Sequence, residues 1–375
     1  MGSGRSGKVD EVGHGQERHG GEVSATGARG HDVDAGGGGP PVDGSGARPS
    51  EVGSSRLRSV VKRSALVVAV VALVAVIGMA IWLGPLVLDR EFPQAAEGAA
   101  PLEPTGYVDV GDAELPYVEQ GTGLPVLLIH GGGDGLRSFE ALADVLAEDH
   151  RVISYSRRGY EGAGAPATAW DQHHADAAAV LEDLDAEGAV VAGLSMGGPI
   201  AVELALERPD LVGALVLLEP GLYFEDHVTL DAVRVLLAVE IRGLFMSDER
   251  AMVPFYRWVF AHDDGHSPWD SRDFPDEVKY RIVNSVPAVS ADLENSEEAG
   301  EVPRERLSEL TMPVTLLVGE RTQPIFEDIT ATLEQSIPDP KTVEIADAGH
   351  VMSYDNPVGT GDAIRQAAQA ALEGS

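Results

Sequence analysis

From Gly106 to the C-terminus, short apolar runs alternate with longer stretches in which apolar residues recur every three or four positions. PVLLIHG, RVISYS, AVVAGLS, ALVLLEP and PVTLLVG are aliphatic runs, each ending in a polar or Gly-rich turn. They read as strands that are apolar throughout because both faces are covered. Among the connecting segments, FEALADVLAEDH places Phe139, Leu142, Val145 and Leu146 on one helical face. This alternation predicts an α/β domain over residues 106–375, with a mostly parallel central sheet flanked by helices. Ligands of such sheets bind beyond the carboxyl ends of the strands, so polar residues at those ends are the candidates for chemistry.

Two earlier segments follow other patterns. Residues 64–88 carry no charge, and ALVVAVVALVAVIGMAIWL from Ala65 to Leu83 is nearly all apolar. That matches the ~20 residues a membrane-spanning helix needs, and a core helix of such length would show a polar face. The segment is expected to be a transmembrane anchor in contact with the lipid bilayer. Arg56, Arg58, Lys62 and Arg63 precede it, whereas Asp89, Arg90, Glu91 and Glu97 follow. The basic flank predicts a single-pass protein of the cell membrane, with the N-terminus cytoplasmic and the rest extracytoplasmic. A cleaved leader ending among the small residues from Ala95 to Ala100 is the alternative, disfavoured by the long polar stretch ahead of the apolar one. Residues 1–63 are rich in Gly, Ser, Asp, Glu and Arg and predict a disordered tail. The GGGGPP run at Gly36 to Pro41 lacks the Lys-Ser/Thr of a phosphate loop and reads as linker. Residues 89–105, rich in Pro and Glu, read as a tether.

Composition narrows the function further. With 375 residues and 43% hydrophobic content the chain can bury a substantial core. A formal net charge of −34, from 61 acidic and 27 basic residues, argues against nucleic-acid binding and against a strongly acidic substrate. There is no cysteine, hence no disulfide, no thiolate nucleophile and no cysteine-based zinc site.

Gly193-Leu194-Ser195-Met196-Gly197 fits G-x-S-x-G and lies between the strand AVVA and the helical run PIAVELALERP. That is the setting of a nucleophile elbow, a sharp strand-to-helix turn that exposes a serine between small residues. The backbone N–H of Met196 would sit at a helix N-terminus, suited to a developing oxyanion. His130-Gly131-Gly132-Gly133 ends the strand PVLLI, and its glycines allow a second donor, the N–H of Gly132, to approach a substrate oxygen. In KTVEIADAGH, His350 follows a strand and stands after the serine in the chain, as a general base for attack on an acyl carbon would.

Taken together, GYVDVGDAELPYVEQGTGLPVLLIHGGG, YSRRGYEGAG, GLSMGG and DAGH resemble the α/β-hydrolase fold family over nearly all of Gly106 to Leu372. The resemblance implies Ser195 as nucleophile, His350 as base, Gly132 and Met196 as oxyanion hole, a helical lid over about residues 221–311, and no cofactor. The implied activity is hydrolysis of an ester or related acyl bond by a Ser–His–acid mechanism. A cofactor-free C–C hydrolase or perhydrolase of the same fold, and a catalytically silent, surface-tethered binding module, are the rival readings.

Two positions depart from the family pattern. Ser156 stands where an aspartate often precedes the Arg-Arg-Gly turn, and Thr322 stands where the acid usually lies. Glu219, which closes ALVLLEP, is the preferred replacement, because some relatives take their acid there and the order Ser195, Glu219, His350 keeps nucleophile, acid and base in sequence. Glu320 is the alternative.

Phe245, Met246, Phe255, Tyr256, Trp258, Phe260 and Trp269 are concentrated in the lid segment of a chain with only 5% aromatic residues. They either pack the lid or form an apolar pocket for a small-molecule acyl substrate. His262, Asp263, Asp264 and His266 read as a solvated loop rather than a metal site, and His173-His174 as the start of a helix.

Overall fold

The computed structural model describes residues 51–89, 91–93, 103–271, 274–299 and 301–374. Residues 1–50 of the expected tail and 94–102 of the expected tether lie outside the described residues. The strands are β1 (Gly106–Asp109), β2 (Glu114–Gln120), β3 (Leu124–Ile129), β4 (His150–Tyr155), β5 (Ala189–Leu194), β6 (Val212–Leu218), β7 (Val314–Gly319) and β8 (Lys341–Ile345). They form one sheet in the order β1-β2-β4-β3-β5-β6-β7-β8. The five aliphatic runs are β3 to β7, and every pairing from β4 to β8 is parallel. An antiparallel edge, β1 on β2 and β2 on β4, completes the sheet.

The continuous apolar runs are explained by two cores, one on each face of the sheet. Side chains alternate across a strand. On β3, Val126 and Leu128 enter one core, and Leu127 and Ile129 the other. The helices, in chain order, begin with α1 (Glu51–Leu88), ahead of the sheet, and α2 (Glu140–Leu146); α3 (Gln172–Asp183) and α4 (Gly197–Glu207) flank β5 in the chain. Between β6 and β7 the chain inserts α5 (Leu230–Gly243), α6 (Asp248–Ala251), α7 (Val253–Val259), α8 (Asp276–Asn284) and α9 (Val286–Ala299). After β7 come α10 (Pro324–Ser336), α11 (Met352–Asp355) and α12 (Pro357–Gly374). Residues of α2 and α12 complete the first core, and those of α3, α4 and α10 the second.

Helix α1 starts at Glu51, so residues 51–63, expected as disordered tail, are helical. No proline interrupts α1 itself before Pro85, and a helix nucleated in the apolar segment extends at little cost into such flanking sequence. Its part from Val67 to Leu88 is long and apolar enough to cross a membrane, and only 6% of that stretch is buried.

The chain passes from β3 to β4 on one side and on to β5 on the other, which makes the β3/β5 boundary the switch point of the sheet. Register brings Ile129 beside Gly193 and Leu194 beside Leu218. The turns carrying His130–Gly133, Ser195 and Glu219 therefore emerge side by side at one end of the sheet.

Candidate active site

Ser195 sits directly after β5 with φ 53°, a left-handed backbone that a serine adopts only when its surroundings hold it there. Those surroundings are fixed hydrogen bonds. The N–H of Ser195 donates to the Leu218 carbonyl at 3.0 Å, and its carbonyl accepts from the N–H groups of Gly198 and Gly221, both at 2.9 Å. Close approach explains the glycine at 197, since a Cβ there would lie 2.2 Å from the Ile129 carbonyl oxygen. Helix α4 starts at that residue, so Met196 is its N-cap.

The glycine run after β3 lies against this turn. A Cβ on Gly131 would be 2.9 Å from Cβ of Ser195, and one on Gly132 would be 2.8 Å from Sδ of Met196. Among the described residues nothing accepts from the N–H of Gly132 or of Met196. Above the run stand apolar side chains of the insertion, Val289 of α9 beside Gly132 and Ile282 of α8 beside Gly133.

Glu219 follows β6 with φ 41° and is fully buried. Its Oε1 accepts from the N–H of Gly319 at 2.8 Å, and its Oε2 lies 2.9 Å from Nδ1 of His350. A carboxylate so placed makes Nδ1 the protonated nitrogen and leaves Nε2 as the free, basic one. Phe326 of α10 stacks on the His350 ring, with centroids 4.1 Å apart and planes at 15°, and fixes its tilt. Glu320 is exposed and turned elsewhere: its Oε2 accepts from the N–H of Asp347 at 2.9 Å. Thr322 is buried, and its hydroxyl has no partner. Of the three, Glu219 is thus the one hydrogen-bonded to His350.

A second buried polar cluster braces the glycine run. Arg157 of the Arg-Arg-Gly turn donates from Nε to the His130 carbonyl at 3.1 Å and from Nη2 to the Gly131 carbonyl at 3.1 Å. Its backbone N–H donates to Nε2 of His130 at 3.0 Å, so Nδ1 of His130 carries the proton and donates to the Gly131 carbonyl at 2.8 Å. Burial, with the Arg157 guanidinium beside it, keeps His130 neutral. Asp292 of α9 binds Arg157 Nη1 at 2.8 Å, the Tyr160 hydroxyl at 2.9 Å and His173 Nε2 at 2.9 Å. Burial alone would raise the Asp292 carboxyl, but Arg157 and His173 outweigh it and hold the pKa down at about 2. His173 does begin α3, as expected, and in addition ties that helix to the insertion. Ser156, just before Arg157, is buried with an unpartnered hydroxyl.

Of the loop residues expected to be solvated, Asp263, Asp264 and His266 are exposed, but His262 departs from the expectation. His262 is not solvated: it is buried against Gly349, next to His350, with Nε2 3.6 Å from Asp355 Oδ2. A glycine at 349 leaves room for the imidazole, and the DAGH spacing carries no sign of it. Among the described residues no group of three His, Asp or Glu side chains is arranged to hold a metal. Tyr256, Phe260 and Trp269 pack with Phe274 into a buried aromatic cluster inside the insertion, whereas Phe245 is exposed.

Residues 126–363 match the profile of the Alpha/beta hydrolase family. The chain belongs to that family. RutD of Azorhizobium caulinodans, by name a carbamate hydrolase, is 27% identical over 262 residues, covering 67% of this chain and 93% of that protein. Among solved structures, an esterase from Thermogutta terrifontis superposes with a TM-score of 0.59 at 22% identity, covering 73% of this chain and 99% of its own. A membrane phospholipase A superposes with a TM-score of 0.58 at 20% identity, covering 86% of this chain and 98% of its own. At these identities the two structures speak for the fold of this alpha/beta hydrolase.

Proposed function

We propose that the protein is a membrane-anchored serine hydrolase that cleaves an ester or related acyl bond of a small, apolar acyl substrate. The observation that carries this reading is the buried Glu219–His350 hydrogen bond, at the same sheet end as Ser195 in its left-handed turn. His350 Nε2 takes the Ser195 hydroxyl proton as Oγ attacks the acyl carbon, and Glu219 holds the imidazole in that tautomer and stabilises the imidazolium. The N–H groups of Gly132 and Met196 donate to the oxyanion, and both are free to do so. The leaving alcohol departs with the proton from His350, and water then hydrolyses the acyl-enzyme by the same base. Val289, Ile282 and the Met196 side chain around the glycine run support an apolar acyl group.

In this reading residues 64–88 anchor the chain, residues 89–105 tether it, and α5 to α9 form the lid. The uncharged span and its basic N-terminal flank support a cytoplasmic N-terminus and an extracytoplasmic catalytic domain. Protease added to intact cells should then digest residues 106–375 and spare the N-terminal tail; a protected catalytic domain would reverse the orientation. The chemistry is tested by ester turnover of Glu219→Gln and Glu320→Gln, of which only the first should be crippled.

A further inference from the structure

Helix α5 carries several large apolar residues on its outer face, with the carboxylate of Glu240 exposed among them. Leu230, Val233, Leu236 and Leu237 are exposed, as are Leu244 and Phe245 just beyond its end, with Leu244 at 76% and Phe245 at 80%. Its inward face holds Ala232, Val235, Ala238 and Arg242. A surface helix usually turns its larger apolar residues inward and leaves polar ones outside, and an exposed patch of this kind calls for a partner.

The same helix is bonded to the apolar helix α1. Arg234 Nε donates to the Trp82 carbonyl at 2.8 Å. Arg242 Nη1 donates to the carbonyls of Leu86 at 2.8 Å and Asp89 at 2.7 Å. The last carbonyls of a helix have no partner within it, and α1 has no basic residue in its last turn. Arg242 supplies both the missing donors and a cation at the negative end of the helix dipole. Two contacts along α1 fix the level of α5. Trp82 lies six residues before Leu88, so at 1.5 Å per residue the Arg234 contact is about 9 Å inside the end of the apolar span. Because Arg234 is nearer the N-terminus of α5 than Arg242, and Trp82 deeper in α1 than Leu86, the Leu230 end of α5 is its deeper end.

We infer that α5 and the Leu244–Phe245 turn lie in the membrane–water interface, with their exposed apolar side chains in the lipid of the bilayer that α1 crosses. The inference rests on the anchor reading and adds a second, interfacial contact to it. An amphipathic helix at an interface buries its apolar face to about 5–10 Å, which matches the level set by Arg234. Arg234 and Arg242, which would be costly in lipid, spend their charge on α1 carbonyls instead. The occupant is lipid rather than a soluble protein, because any body covering this face would also have to share the space beside a span whose own side chains from Val67 to Ile81 are exposed.

The absence of cysteine makes single-cysteine labelling unambiguous. Full-length Val74→Cys, Leu237→Cys and Phe245→Cys proteins, each carrying a bimane label, are reconstituted in phosphatidylcholine vesicles and exposed to nitroxide-bearing lipids and to iodide. The expected result is that all three labels lose most of their fluorescence to the lipid quencher and little to iodide. Lipid quenching at 74 with iodide quenching at 237 and 245 overturns the interfacial helix and leaves the anchor standing. No lipid quenching at any position overturns both. Protection of 237 and 245 from both quenchers, with crosslinking between copies, assigns the patch to a second copy of the chain and overturns the lipid assignment.

Discussion

Glu219 gives one carboxylate oxygen to His350 Nδ1 at 2.9 Å and the other to the Gly319 N–H at 2.8 Å. The backbone hydrogen bond fixes the carboxylate, and the carboxylate fixes the imidazole. Glu219→Gln keeps the shape but can present an N–H to His350, favouring the wrong tautomer. In the proposed mechanism it should lower kcat by roughly 10²-fold to 10⁴-fold with little change in melting temperature. Glu320→Gln, exposed and bonded to the Asp347 turn, should leave kcat near wild type. Steady-state kinetics of the two variants side by side decides between them.

Thr322, at the position the acid more often occupies, has a buried hydroxyl with no partner. Thr322→Val removes a polar group that gains nothing from burial, so stability should hold or rise by about 1 kcal/mol, and kcat should not change. A thermal melt and a kinetic assay check both halves; a large fall in kcat would give the hydroxyl a part in the reaction.

Gly131 lies so close to the serine turn that a Cβ would come within 2.9 Å of Ser195 Cβ. Gly131→Ala should displace either the glycine run or Ser195, and a shift of about 1 Å at the reacting centre can cost ~10²-fold in kcat. Substrate KM should change far less.

Asp292 is held at a pKa of about 2, below the ordinary value of 3.8. A carboxylate with a depressed folded-state pKa contributes stability that is fully present above about pH 4 and is lost as pH falls toward about 2, here about 2 kcal/mol. Asp292→Asn leaves Arg157 buried without its counter-ion and should cost ~3–5 kcal/mol at neutral pH. Urea unfolding at pH 7 and pH 3 should show the gap between variant and wild type narrowing on the acid side.

The sheet was legible because β3 to β7 are buried on both faces, and runs such as AVVAGL can hardly be anything but parallel strands. The serine turn was legible for a similar reason, since G-x-S-x-G between strand and helix reports local sterics. Chain order points to Glu219, whereas its hydrogen bond to His350 spans 131 residues and has no local signature. The Arg157–Asp292–His173 cluster could not be read at all, because its partners are 135 and 119 residues from Asp292 and each looks like a surface residue in isolation. The same holds for α5: its LDAVRVLLAVEIRG pattern shows a helix, but only the fold reveals that Leu230, Val233, Leu236 and Leu237 are left exposed and that Arg234 and Arg242 reach α1.

Ser195 as the nucleophile is tested most directly by mass spectrometry of the full chain after treatment with a fluorophosphonate, with ester turnover followed in parallel. One adduct is expected, on the peptide containing Ser195, with loss of both the adduct and turnover in a folded Ser195→Ala variant. An adduct on another serine, or ester turnover that survives Ser195→Ala, would contradict it.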